Sequence, residues 1–184
     1  MSEYHNTKAE DRVPLGQKLA VGAGGFPIQN GGLIVQYMAQ PIFQIFLGLN
    51  PALFGLAMTI PRIWDAFTDP VMGRISDRTQ SRYGRRRPYV FVGALAVALT
   101  FLTIWMVPQS MGDTGTFLWL TIGSVLFFTA FTVFSVPFNA LVYEQTPDYH
   151  ERTRLMFYLA LFYNIGNLCV NWYVPATNWS GFEN

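Results

Sequence analysis

Arg62, Asp65 and Asp69 interrupt an otherwise apolar run, RIWDAFTDP. The two acids are four residues apart and Arg62 precedes Asp65 by three, so on a helix all three share one face. Ionisable side chains at membrane depth are costly and normally face a bundle interior, where they pair or bind ions. This spacing suits a carboxylate pair that takes up a proton or Na⁺, with Arg62 balancing charge or touching a solute. The alternative is a structural Arg–Asp pair that ties helices together. One acid would serve that purpose; two acids beside one arginine leave a negative charge that calls for a cation. The ion-binding reading is favoured, and Asp65 and Asp69 are the only metal-ligand candidates, for Na⁺ alone.

Neutral polar residues form three further stripes. Gln29, Gln36, Gln40 and Gln44 recur at seven, four and four; Thr132, Ser135, Asn139 and Tyr143 at three, four and four; Asn164, Asn167 and Asn171 at three and four. Each set lies along one helix face. Amides and hydroxyls donate and accept hydrogen bonds, which is the chemistry a polyhydroxylated solute requires. Hydrogen bonding between packed helices is the competing use. The convergence of three stripes favours a solute path, with Gln29, Gln36, Arg62, Ser135, Asn139 and Asn164 as its candidates. Pro27 and Pro41, among several glycines, interrupt the first apolar stretch, as in the broken helices of transporters. His5 and His150 have no visible metal partners, and Cys169 reads as packing. No nucleophile set, phosphate-cradling loop or metal cluster occurs, so no enzyme and no cofactor beyond a coupling ion is expected.

The elements that must position these residues follow from where charge is missing. The chain has 184 residues, of which 51% are hydrophobic and 12% charged, about half the charge of an ordinary soluble domain. A net charge of +1 argues against nucleic acid as a partner, and one cysteine excludes an internal disulfide. No charged residue lies between Lys18 and Arg62, from Pro88 to Gly112, from Thr114 to Tyr143 or from Leu155 to Phe182. A membrane-spanning helix needs about 20 apolar residues. Five helices are predicted, over about 17–47, 52–76, 89–107, 117–143 and 155–174, with a turn at Gly48-Leu49-Asn50-Pro51. Residues 1–14 read as a soluble tail, 15–178 as a transmembrane bundle and 179–184 as a truncated end. No cleavable signal peptide is visible.

Orientation comes from the basic residues. Arg78, Arg82, Arg85, Arg86 and Arg87 fall between the second and third helices, Arg152 and Arg154 between the fourth and fifth, and Lys8, Arg12 and Lys18 before or at the first. The alternate connections hold no Lys or Arg. The amino terminus is therefore expected in the cytoplasm, with Trp172, Tyr173 and Trp179 at the outer interface. Asn178-Trp179-Ser180 fits a glycosylation sequon, a weak three-residue match.

The string RIWDAFTDPVMGRISDR, Arg62–Arg78, continues as TQSRYGRRRP. Its Gly73, Asp77-Arg78 and Gly84-Arg85-Arg86-Arg87 resemble the cytoplasmic signature of the major facilitator superfamily. Gly73 would permit close approach of a neighbouring helix, and Asp77 with the arginines could form a charge network that holds one conformation and breaks in another. The longer string resembles the glycoside–pentoside–hexuronide:cation symporters, the melibiose permease-like branch, and Ser76–Tyr89 is also similar to sucrose transporters. A second block, VPFNALVYEQTPDYHERTR (Val136–Arg154), is similar to the loop before the fifth helix in the same family. The resemblance implies that Asp65 and Asp69 are cation-site carboxylates, with Arg62 their neighbour and Thr132 an assisting hydroxyl. It departs at the sugar contacts. The family's sugar-binding acids fall on Gln29 and Ser135, its aromatic sugar platform on Asn139, and its fifth-helix arginine on Ala160.

These readings converge on an all-α membrane protein, a major facilitator superfamily-type bundle of about five helices from an incomplete amino-terminal half. The expected function is symport of a sugar or glycoside with Na⁺ or H⁺ by alternating access, in a multi-pass protein of a bacterial-type inner (plasma) membrane. The expected partners are the solute, the bilayer and a missing carboxy-terminal half. The alternatives are a non-sugar or amphiphilic solute, or a receptor-like or scaffolding protein without transport.

Overall fold

The computed structural model describes residues 11–108 and 111–178, the side chains at 29, 170 and 173–178 excepted. Lys8, His5 and the Trp179-Ser180 part of the sequon lie outside the described residues, as does the Tyr173 side chain. The described chain is helical: α1 Leu15–Ala39, a π-helical stretch Gln40–Phe46, α2 Pro51–Arg78, α3 Arg87–Trp105, α4 Asp113–Tyr143 and α5 Tyr149–Asn178. All five expected helices are present, and no strand occurs among the described residues.

Local chemistry explains where the boundaries moved. Pro27 does not interrupt α1, which continues through it. Pro41, with no N–H to donate, opens the π-helical stretch instead, whose wider ladder ends with Leu47 N–H donating to Ile42 O at 3.0 Å. The turn that follows is the expected one. Gly48 adopts φ 70°, which costs glycine little. Asn50 caps α2 by accepting from Ala52 N–H at 2.8 Å, and Pro51 begins the helix. α3 stops at Trp105, two residues short of the expected end, because Val107 precedes Pro108 and is steered out of the helical region. α5 starts at Tyr149, six residues before the expected Leu155. There Asp148 Oδ1 accepts the Glu151 N–H at 2.8 Å, an N-cap bond.

The helices divide into two compact units. One comprises Val35–Leu141; the other combines Met1–Ile34 with Val142–Asn184. In the first, Val35, Ala39, Phe43, Leu49, Phe54, Ala57, Ile104, Leu120, Phe127 and Phe128 form a buried cluster. Phe127 meets Phe128 edge-on at 5.3 Å and stacks on Phe131 at 6.0 Å. α3 and α4 approach closely at two points. A Cβ on Gly93 would lie 2.7 Å from the Phe134 backbone, and one on Gly123 would lie 3.3 Å from Ile104. The two contacts are eleven residues apart on both helices, so the pair crosses antiparallel. In the second unit, Gly22, Gly25 and Gly166 seat Phe162, Leu159 and Phe26 in the same manner, joining α1 to α5. By length and composition, α3 and α4 are the two helices among the described residues long and apolar enough to cross a membrane.

Candidate cation site and gate motif

α2 and α4 bring the cation-site candidates together within the Val35–Leu141 unit. Thr132 Oγ1, buried on α4, donates to Asp69 Oδ1 at 2.8 Å. One turn away, Trp64 Nε1 donates to Thr129 Oγ1 at 3.0 Å. These two bonds fix the rotation of α2 against α4, and with it the face that carries both acids. Within α2, Thr59 and Thr68 return their hydroxyls to the carbonyls of Gly55 and Trp64. Pro61 and Pro70 bracket the Arg62–Asp69 segment, and each leaves the carbonyl four residues earlier without its amide partner.

The balance of charge in this cluster is negative. Arg62 Nη1 stands 4.0 Å from Asp65 Oδ2, with the arginine side chain about half exposed. Such a pair contributes at most about 1 kcal/mol. The same guanidinium lies 4.7 Å from the centroid of the Phe128 ring, an attraction of comparable size, about 0.5–1 kcal/mol at exposed sites. Arg62 is therefore shared, and it does not neutralise two carboxylates. Asp65 Oδ1 is buried without a hydrogen-bond partner among the described residues. Asp65, Asp69 and the Thr132 hydroxyl supply oxygen only, the donor type that hard cations take. No group of three or more His, Cys, Asp and Glu able to hold a metal occurs among the described residues. A transition-metal site has no support in this cluster.

The solute-path candidates fall in both units. Gln36 on α1 is exposed, Ser135 on α4 is buried and Asn139 is exposed. Gln29 belongs to α1, its side chain outside the described set. Asn164 is exposed on α5 and donates to Ala160 O at 2.7 Å. Asn171 donates to Asn167 Oδ1 at 3.1 Å, so this stripe bonds along its own helix.

The candidate gate motif at the α2–α3 junction has a clear geometry. Asp77 near the end of α2 pairs with Arg86, which is buried at the start of α3. Thr79 Oγ1 and Tyr89 Oη lie 2.7 Å apart across the same junction. Gly84 turns the loop with φ 97°. Arg78 and Arg85 are exposed. The expectation for Gly73 needs correction. A Cβ there would meet Val136 at 3.9 Å, ordinary contact, and the close helix approach is made by Gly93 instead.

The sequence reading missed a second charged centre, in the other unit. Glu151 is fully buried. Its Oε1 accepts the Val13 N–H at 3.1 Å and pairs with Lys18 Nζ at 2.5 Å; its Oε2 accepts from Arg154 at 3.1 Å. Beside it, Thr146 Oγ1 donates to Asp11 O at 3.0 Å. Burial alone would raise the Glu151 pKa. The Lys18 and Val13 hydrogen bonds, the Lys18 charge and the Arg154 bond outweigh it and hold the carboxyl below the usual glutamate range. A local signal was available. Asp148-x-x-Glu151 has the spacing of a capping box, which places Glu151 in the first turn of a helix.

Residues 20–177 match a family described as MFS/sugar transport protein. An uncharacterized symporter, sll1374, of Synechocystis sp. is 36% identical over 144 residues, covering 75% of this chain and 26% of that protein. The sodium-dependent lysophosphatidylcholine symporter 1-A of Danio rerio is 32% identical over 136 residues, covering 73% and 25%. The putative glycoside/cation symporter YagG of Escherichia coli is 27% identical over 157 residues, covering 85% and 33%. The chain thus spans about a quarter to a third of these relatives.

Proposed function

This chain belongs to the MFS/sugar transport protein family, and from that premise we propose that the protein it forms part of is a Na⁺-coupled symporter. The observation that carries this reading is the Thr132–Asp69 bond at 2.8 Å beside Asp65. It places two carboxylates and a hydroxyl on facing helices with one shared arginine. A neutral hydroxyl has little use in a pure proton site, whereas it is an ordinary oxygen ligand for a metal cation. Sodium-dependent relatives point the same way.

In this mechanism Na⁺ at Asp65, Asp69 and Thr132 cancels buried charge. The solute contacts would be Gln36, Arg62, Ser135 and Asn139 in the Val35–Leu141 unit, and Gln29 and Asn164 in the other. The Asp77–Arg86 pair forms in one conformation and breaks in the other, giving alternating access. The basic α2–α3 and α4–α5 connections and the amino terminus face the cytoplasm, in a bacterial-type inner (plasma) membrane.

The solute is a sugar or glycoside, as the family description and the glycoside/cation relative suggest. A specific observation favours a second reading. The acids, aromatic platform and arginine that the sugar-symporter resemblance calls for are replaced here by Gln29, Ser135, Asn139 and Ala160, and a lysophosphatidylcholine symporter is among the relatives. That reading is an amphiphilic solute.

Proteoliposomes of the full-length protein, given an inward Na⁺ or proton gradient, test both. Labelled glycosides should accumulate with Na⁺; accumulation of lysophospholipid alone selects the second reading. Asp69→Asn should abolish Na⁺-driven uptake while sparing membrane insertion. Concentrative uptake retained in that variant would sink the cation-site assignment.

A further inference from the structure

At the α2–α3 junction lies a feature that ion coupling does not use. Arg82, Tyr83, Arg87, Phe91 and Val92 line an open cavity of about 920 Å³. Its rim is basic and ordered. Arg82 Nη2 donates to Tyr83 Oη at 2.6 Å, and the guanidinium lies 4.7 Å from the ring centroid. This stacking holds the planar fork in place before any ligand arrives. Among the described residues no acid lines the cavity, in contrast to Arg86, which is paired with Asp77. Below the rim, Phe91, Leu95, Leu99 and Leu102 recur every three or four residues down one face of α3, each more than half exposed. The stripe is roughly 16 Å long at the helical rise, and α3 is one of the two helices apolar enough to cross a membrane.

We propose that this groove binds an anionic phospholipid, with its phosphate between Arg82 and Arg87 and one acyl chain along Phe91, Leu95, Leu99 and Leu102. Charge complementarity selects the occupant. A protein helix laid on the stripe would cover the apolar side chains but leave two arginines without a counter-charge. An anionic phospholipid supplies the phosphate and the hydrocarbon together, in the spatial order that the groove presents. Two arginines fit a phosphate because the guanidinium fork matches phosphate oxygens. Basic residues next to a membrane helix recognise anionic headgroups by the same attraction. The site is distinct from the Asp65/Asp69/Thr132 cluster and does not require that cluster to bind Na⁺.

The test uses the full-length protein in phosphatidylcholine vesicles with a minor fraction of dibrominated phosphatidylglycerol, or the same fraction of dibrominated phosphatidylcholine. A tryptophan introduced by Leu95→Trp reports bromine contact as quenching, measured as the difference from protein without that substitution. The brominated phosphatidylglycerol should bind about 25-fold more tightly than its phosphatidylcholine counterpart, as about a fivefold preference for each of the two arginines implies. Arg82→Gln with Arg87→Gln should bring the two lipids to parity, while Arg85→Gln should leave the preference in place. Equal quenching by both lipids in the parent protein overturns the proposal. So does quenching by neither, which would mean that protein covers the stripe. A preference that survives the double substitution, or that Arg85→Gln removes equally well, also overturns it.

Discussion

Glu151→Gln removes one charge from a carboxylate that holds three donors at once. The substitution keeps the size of the side chain and one acceptor oxygen. It leaves Lys18, only 13% exposed, without its counter-ion and weakens the bond to Val13 N–H. Breaking a buried pair by removing one partner costs about 3–5 kcal/mol. Arg154 is 56% exposed and contributes little to that figure, because water screens it. The loss falls on a particular segment, since Glu151 bonds Val13 and Lys18 and Thr146 bonds Asp11. Hydrogen–deuterium exchange on the purified full-length protein reads it directly. Protection of the peptide spanning Val13 to Lys18 should fall by about 100-fold, at tenfold for each 1.4 kcal/mol, for a loss near the lower bound. Acidity adds a second check. The folded carboxyl sits below the usual glutamate range, so its stabilisation is complete above the unfolded value. It is lost only as pH falls through the lowered folded value. Between pH ~7 and ~5 the corrected protection of this segment should therefore stay constant. Unchanged protection in Glu151→Gln, or a loss already complete near pH ~6, refutes the reasoning.

Three other substitutions probe the Val35–Leu141 unit. Thr132→Val removes the hydroxyl bonded to Asp69; a hydrogen bond to a charged group contributes about 1.5–3 kcal/mol. The half-saturating Na⁺ concentration for uptake should rise about tenfold or more, and an unchanged Na⁺ dependence would remove Thr132 from the cation site. Gly93→Ala puts a methyl group 2.7 Å from the Phe134 backbone, which cannot rotate aside. Such overpacking typically costs about 1–3 kcal/mol. Thermal unfolding in detergent should show a lowered midpoint, whereas Gly73→Ala, with only Val136 at 3.9 Å, should leave it nearly unchanged.

Much of the fold was legible because the signals are local. The Gly48–Pro51 turn was read from residue types alone, since an αL glycine, an Asn cap and a first-turn proline each act within a few residues. Where local signals were overlooked, boundaries moved: Asp148-x-x-Glu151 starts α5 six residues early, and Pro108 ends α3 two residues early. Pro27 shows the reverse case. It predicted an interruption, yet the helix runs through it, because packing on neighbouring elements outweighs one lost hydrogen bond.

By itself the sequence determined the helical character, the segregation of charge into connections, and the common face of Arg62, Asp65 and Asp69, because hydropathy and helical period are properties of adjacent residues. Only the tertiary structure decided which face meets which. Thr132 reaches Asp69 across 63 positions, and Glu151 reaches Val13 across 138. Those pairings depend on how each helix is rotated and how closely it can approach. Here Gly93 and Gly123 set that for α3 and α4, and Gly22, Gly25 and Gly166 set it for α1 and α5. A helix period gives the phase of a stripe along its own axis, and nothing in that period says which stripe on another helix it will meet.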